Sequence, residues 1–361
     1  MRILRVAQKT YPDVKGGGPY HVHAMSRDQA AMGHDVTVLT VGGGDKPHLE
    51  ERDGYTVIRY GSEGSLLGND ISTGVARYLA AAESFDVVHA HSHLYFSTNL
   101  AALKRACGEI PLAITNHGLY SQTAPEWVFD LYLGSVGRWT FDRADVVFCY
   151  TEEDERRIRA LGVDSEIEIV PNGVDLERFT PDGPGSDLID HDGPTALFVG
   201  RLVEGKRPSD AIAAVERVRE THPELKLYVC GEGPLQEELA ERTGNSVEFL
   251  GHLEYDEMPP VYRSADVLVL PSRAEGVPRT VLEAMAAGSG VVTSDLEQVA
   301  PLVEGYGHTA DPGDVEGFAE GIRATLESGG PAADDGIQRR HSWTRTVDET
   351  TSALERLVES E

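Results

Sequence analysis

Short apolar runs alternate with amphipathic stretches along almost the whole chain. In the first half, Ile3–Ala7, Val36–Val41, Val57–Tyr60, Val87–Ala90, Leu112–Thr115, Val146–Tyr150 and Ile167–Val170 read as strands. Helical patterns lie between several of them, at Tyr20–Met32, Ile71–Ser84, Ser97–Cys107 and Glu152–Leu161. Near-continuous apolar strands joined by helical crossovers predict parallel sheets covered on both faces. After Pro171-Asn172-Gly173 comes a Gly/Pro/Asp-rich segment, Thr180–Pro194, which reads as a surface insertion or linker. The alternation then restarts with Ala196–Gly200, Leu225–Cys230, Val247–Leu250, Val267–Pro271 and Val291–Ser294. The expected fold class is α/β, with two doubly wound Rossmann-like domains facing each other, residues 1–173 and 174–340. Residues 341–361 follow as a helix with Val347, Leu354 and Leu357 near one face.

A length of 361 residues suits two domains, and 40% hydrophobic with 25% charged residues is the composition of a packed globular protein. No stretch approaches the roughly 18 uncharged apolar residues of a membrane span. The N-terminus runs straight into a strand and lacks the pattern of a signal peptide. Three cysteines, far apart and in no CxxC pair, argue against a disulfide framework and a zinc ribbon, and fit a reducing cytoplasm.

Charge adds more. The net charge is −28, and only 6 of the 32 basic residues are lysines. A carboxylate-rich, lysine-poor surface stays soluble at high ionic strength, where salt screens its self-repulsion, so the expectation is a halophilic protein. Nucleic acid is a poor partner for it. The excess is uneven, −7 over residues 1–173 against −21 over 174–361. Uneven surface drift accounts for this, as does an N-terminal half that approaches an anionic partner or a membrane face.

Ligands of doubly wound sheets bind beyond the carboxyl ends of the strands, and the unusual residues gather there. Gly16-Gly17-Gly18-Pro19 precedes a helix, where glycines admit close approach of an anion to the backbone. It is not the GxGxxG dinucleotide fingerprint, and alone it equally describes a flexible loop. His89, His91 and His93 would share one face of a strand end, which is metal-ligand spacing, although histidines at a strand tip more often line a cleft. His117-Gly118 lies at another strand exit. Gly200-Arg201-Leu202-Val203-Glu204-Gly205-Lys206 ends a strand and puts two cations on one loop of an acidic half, suited to a diphosphate. Gly231-Glu232-Gly233-Pro234 closes the next strand. Glu275 and Glu283 are eight apart, with Glu283 on a helix starting near Pro278, able to accept two ribose hydroxyls, and Glu275 on the preceding loop, free to face a sugar.

The order GGG, HAHSH, HG, PNGVD, FVGRL…GK, GEGP and EGVPRTVLEAMAAG resembles the retaining glycosyltransferases of the two-domain B-type fold (GT-B), in the large family 4 with the Glu-x7-Glu motif, from residue 1 to about 360. The resemblance implies that Arg201 and Lys206 bind the diphosphate of a UDP- or GDP-sugar donor, beside Gly200. Glu283 would hold the ribose and Glu275 the sugar hydroxyls near the reacting carbon. The amides around Thr280, Val281 and Leu282 would touch diphosphate or sugar. Gly16 and Gly17 would let the N-terminal loop close over the phosphates, and His117 would lie against the sugar. Glu275, His117, Arg201 and Lys206 are the implied catalytic set. Transfer of a hexose or N-acetylhexosamine with retention to a glycan or lipid-linked acceptor follows, with no cofactor, no metal and no dedicated carboxylate pair. The helix around Trp343 would cross back to the N-terminal domain, the acceptor side, which fits a cytoplasmic enzyme in peripheral contact with a membrane. Three departures stand out: Arg279 where the family has a small or apolar residue, Gly290 in place of a common proline, and Ser294-Asp295-Leu296-Glu297-Gln298 in place of a Gly-Gly-x-x-Glu element. A nucleotide-sugar epimerase or phosphorylase, and a non-catalytic nucleotide-sugar-binding subunit, are alternatives the same fold accommodates.

Overall fold

The computed structural model of the chain describes residues 1–43, 48–66, 68–120, 126–328 and 340–360. They form two compact units, Met1–Pro171 with Arg345–Glu361, and Asn172–Thr344.

The first unit is built on β1 (Arg2–Val6), β2 (Asp35–Val41), β3 (Leu49–Arg52), β4 (Tyr55–Tyr60), a hairpin of β5 (Gly64–Leu66) with β6 (Asn69–Ile71), then β7 (Val87–His91), β8 (Leu112–Thr115), β9 (Val146–Cys149) and β10 (Glu166–Ile169). Its main sheet runs in the order β10-β9-β8-β7-β1-β2-β4-β3, parallel except for β3 on the edge. Register puts Ile3 beside Val36 and Val87, so these point to one face together. That face is covered by Val22 of helix Gly17–Ala31 and by Ala353 and Leu354 of helix Trp343–Glu359. Leu4, Val88, Leu112 and Val147 point to the other face, against Leu79, Ala102, Phe141 and Ile158. Burial on both faces is what makes these strands largely apolar along their length rather than at every second position, with Arg5 and His89 as buried polar exceptions. Helix starts follow local chemistry: the Ser72 hydroxyl accepts from the amide of Val75, and Thr151 accepts from Asp154 ahead of a first turn with four acidic residues.

The second unit holds β11 (Thr195–Val199), β12 (Lys226–Cys230), β13 (Val247–Gly251), β14 (Val267–Leu270), β15 (Gly290–Ser294) and β16 (His308–Ala310), all parallel in the order β13-β12-β11-β14-β15-β16. One face packs Phe198, Leu227, Val267 and Val292 against Val215, Val218, Phe318 and Ile322. No helix among the described residues is long and apolar enough to cross a membrane.

The structure adds β3, the β5–β6 hairpin and β16 to the elements the pattern predicts. Leu49-Glu50-Glu51-Arg52 is too polar to read as a strand, and its place at a sheet edge explains why it tolerates that. The units divide at Pro171/Asn172 rather than after residue 173, because the Asn172 side-chain amide donates to the Val277 carbonyl at 3.2 Å and His341 Nδ1 lies 3.0 Å from the Asn172 carbonyl oxygen. The return to the first unit comes at Arg345 rather than 341, since the Trp343 amide still donates to Val174 at 2.9 Å. Thr180–Pro194 does not join the units. It lies on the second one, where Arg263 Nε donates to the Pro184 carbonyl at 2.8 Å and the Ser186 amide to Ser264 Oγ at 2.8 Å.

Beyond β11 and β12 the ladder continues through their exit turns, with Gly200 donating to Cys230 at 3.0 Å and Leu202 to Glu232 at 3.0 Å. Gly231 takes φ +135, and a Cβ there would stand 2.0 Å from the Gly200 carbonyl oxygen. Gly231→Ala is therefore expected to lower stability by about 3 kcal/mol. A drop in the urea midpoint at unchanged slope would show this; an unchanged midpoint would contradict the close packing of the two turns.

Candidate functional site

In the second unit β11 is flanked by β12 on one side and β14 on the other, so the direction of winding reverses between β11 and β14. Loops leaving adjacent strands at such a point diverge and leave a crevice. The loop after β11 carries Gly200, Arg201 and Lys206; the loop after β14 carries Glu275 and leads into helix Arg279–Ala286. The two loops are tied by the Arg273 amide, which donates to the Gly205 carbonyl at 2.9 Å, and by Lys206 Nζ, which donates to Glu275 Oε1. Glu275 is nearly fully buried and Lys206 partly so, which makes the pair a largely desolvated one that neither partner leaves cheaply. Arg201 is exposed, and its guanidinium makes no hydrogen bond or ion pair among the described residues.

Glu283 is 5% exposed. Tyr262 Oη donates to its Oε2 at 3.0 Å, and Arg279 Nε stands 3.5 Å from its Oε1. Burial pushes the Glu283 carboxyl above its usual range, with Arg279 and the tyrosine hydroxyls opposing that shift. Arg279 thus lies one helical turn from Glu283 and faces it. Thr280 begins the same helix, where amides have no intrahelical acceptor. Val281 and Leu282 are buried, and their amides donate to the Pro278 carbonyl at 3.2 and 3.4 Å. The Val281 and Leu282 amides are thus engaged within the first turn of the helix.

In the first unit the equivalent reversal lies between β1 and β7. Gly16, at φ 139, caps helix Gly17–Ala31 without a side chain, so the glycine run is the first turn of a helix. His91 ends β7 and His117 follows β8. His117 Nε2 lies 3.1 Å from His91 Nδ1, and Tyr150 Oη 2.8 Å from His117 Nδ1, so both ring nitrogens of His117 have partners within the unit. The His21 ring stands edge-on to His117, centroids 5.2 Å apart. His89 is engaged by Arg5 at 3.3 Å and Thr115 at 2.8 Å, and His93 packs on Phe141. The His89 and His91 ring centroids lie 4.4 Å apart and share one cluster with His117, whereas His93 goes to a separate aromatic pocket. Among the described residues no group of three or more His, Cys, Asp or Glu side chains has the arrangement to hold a metal.

Sequence reasoning missed Arg5, Tyr255 and Tyr262. Arg5 is fully buried in β1 and donates to Ser26 at 2.8 Å, with burial lowering its guanidinium to about 9. A lone arginine within the apolar run Ile3–Ala7 was the available signal.

Burial holds these imidazoles neutral: His117 is lowered to about 4, His93 to about 3, and His89 and His91 well below 6.5 with Arg5 adding to the effect. The unfolded chain takes up protons below about pH 6.5 and the native one does not, so stability is complete above that value and falls as pH drops toward 4. Each such histidine contributes up to about 1.4 kcal/mol per pH unit in that window. Urea unfolding between about pH 7.5 and 5 should show a steep loss that His117→Asn makes shallower. A flat profile would mean that these rings are solvated.

Comparison with known proteins agrees with this geometry. Residues 15–178 match the family described as Glycosyltransferase Family 4, and residues 193–328 that described as Glycosyl transferases group 1. The chain is 32% identical to glycogen synthase of Mycobacterium tuberculosis, over 94% of this chain and 88% of that protein. It is 29% identical to phosphatidyl-myo-inositol mannosyltransferase of Mycolicibacterium smegmatis, over 91% and 85%. Among solved structures, sucrose-phosphate synthase from Thermosynechococcus elongatus superposes with a TM-score of 0.83 at 21% identity, covering 100% of each chain. The HepE protein of Anabaena in complex with UDP-glucose gives 0.82 at 19%, covering 99% of this chain and 100% of that one. The chain accordingly belongs to the family 4 glycosyltransferases of the two-domain B-type fold, enzymes that draw on nucleotide sugars.

Proposed function

We propose that the enzyme moves a hexose or N-acetylhexosamine from a UDP- or GDP-sugar to a glycan or lipid-linked acceptor with retention at the anomeric carbon. The observation that carries this reading is the gathering of Arg201, Lys206, Glu275 and Glu283 on the loops and helix that leave β11 and β14. In this reading Arg201 and Lys206 bind the diphosphate, Lys206 from within its pair with Glu275. Glu283 receives the ribose hydroxyls, Glu275 a hydroxyl of the sugar, and the Thr280 amide a diphosphate oxygen. The helix start at Gly16-Gly17 offers amides to the phosphates, and neutral His117 packs against the sugar. The acceptor oxygen forms its bond to the anomeric carbon on the face from which the diphosphate oxygen departs. The acceptor proton passes to that oxygen, so no second carboxylate is needed as base.

The relatives, a glycogen synthase and a phosphatidyl-myo-inositol mannosyltransferase, support glycan or lipid-linked acceptors. The UDP-glucose complex of HepE favours UDP over GDP. Trp127 and Leu131, 71% and 67% exposed one helical turn apart in the less acidic first unit, support contact with a lipid acceptor at the cytoplasmic face of a membrane. A net charge of −28 supports function at high salt.

A donor panel at molar potassium chloride, with oligosaccharide and lipid-extract acceptors, tests the reading. One nucleoside diphosphate should be released together with a glycosylated product of unchanged anomeric configuration. Isomerisation of the donor without acceptor would make the protein an epimerase, and donor binding without turnover a binding subunit. Lys206→Ala and Glu275→Gln should each lower kcat/KM by about a hundredfold or more. Full activity in both would overturn the assignment.

A further inference from the structure

Glu283 and Arg279 form a buried charge pair inside the second unit, each side chain 7% exposed. At 3.5 Å the ion pair is long for a hydrogen bond, so Arg279 acts on Glu283 first through its charge, alongside the hydrogen bonds of Tyr262 and Tyr255. The guanidinium is itself held. Arg279 Nη2 donates to Tyr255 Oη at 2.9 Å, and its central carbon lies 5.9 Å from the Tyr255 ring centroid and 5.5 Å from that of Trp343. Stacking on two aromatic rings fixes the plane of the fork, which a lysine could not reproduce. On the other side of the carboxylate, Tyr262 Oη fixes Oε2.

We propose that Arg279 is a positioning residue of the donor site: held against Tyr255 and Trp343, it keeps Glu283 ionised and fixed in orientation as the acceptor of the donor's ribose hydroxyls. The inference rests on the reading of Glu283 as the ribose carboxylate. Its physical core is charge balance. A carboxylate buried this deeply loses its ionised form unless a cation accompanies it. The other titratable groups facing Glu283 are Tyr262 from helix Met258–Arg263, Tyr255 from the turn Tyr255–Glu257, and Cys230 at the end of β12. Tyr262 is raised well above its ordinary value and the Cys230 thiol is pushed up to about 12, both through burial first, so neither carries charge near neutrality. Arg279 is then the cation among these neighbours. A protonated Glu283 would exchange two charge-assisted acceptor bonds for weaker neutral ones and lose affinity for ribose.

The test is the pH dependence of UDP and GDP binding, measured calorimetrically on the full chain at high salt between about pH 6 and pH 9. Wild-type affinity is expected to stay level. Arg279→Met should bind about tenfold more weakly at the acid end than at the alkaline end, because Glu283 takes a proton there. Arg279→Lys should restore most of the level profile, and Glu283→Gln should bind weakly at every pH. Adding Arg279→Met to Glu283→Gln should then produce no slope, since the titrating group is gone. Tyr255→Phe, which keeps the ring and removes one anchor of the guanidinium, should show a smaller slope of the same sign, and it carries the test if Arg279→Met fails to fold. A level profile in both Arg279→Met and Tyr255→Phe, or a slope that persists in the double variant, would overturn the proposal while leaving the donor site intact. A wild-type protein that binds neither nucleotide nor nucleotide sugar would overturn the donor-site reading itself, and the proposal with it.

Discussion

A parallel sheet covered on both faces confines polar chemistry to the loops beyond the carboxyl ends of its strands. The second unit obeys this constraint, whereas the first also buries Arg5 of β1 and His89 of β7 within its strands. Ile3 and Leu4, adjacent in β1, each lie in a separate apolar layer, so neither face of that sheet can hold a ligand. Reversal of winding between β11 and β14 opens the one crevice per sheet that the topology supplies, and the Lys206–Glu275 pair closes across its two loops. Placement of the site is therefore a consequence of strand order, and the residue types decide what it can do.

What those residues can do depends on charge accounting inside a strongly acidic protein. In the second unit two carboxylates, Glu275 and Glu283, are deeply buried and each is accompanied by a cation. Glu275 has Lys206 on the facing loop, and Glu283 has Arg279 on its own helix. The first unit has the opposite arrangement. Its buried Arg5 and neutral histidines carry no carboxylate partner among their hydrogen bonds, and desolvation with mutual repulsion holds the rings uncharged. The cations that accompany buried carboxylates at the strand exits thus lie in the second unit, whereas the first offers neutral rings and helix-start amides.

Much of this was legible in the chain. Continuous apolar runs located the central strands to within a residue or two, because burial on both faces leaves few polar positions to blur them. Glu275, Glu283, Arg201 and Lys206 stood out because charged residues and glycines at fixed spacing after a strand have few packing explanations. Edge strand β3 and the short β16 were not legible, since an edge position tolerates Glu50 and Glu51 and three residues carry no periodicity. Side-chain pairings were also beyond the sequence. Nothing in the spacing of His89, His91 and His93 says that one binds Arg5, one His117 and one an aromatic pocket. Arg279 was visible as a departure from the family pattern, but its role emerged only from the rings of Tyr255 and Trp343, 24 and 64 residues away in the chain.

A crystal structure of the enzyme with UDP or GDP at high salt tests the central claim most directly. The account predicts diphosphate oxygens within hydrogen-bond distance of Arg201 and Lys206, and both ribose hydroxyls on Glu283, with Arg279 still facing that carboxylate. A nucleotide bound elsewhere, or one whose ribose turns away from Glu283, would contradict it.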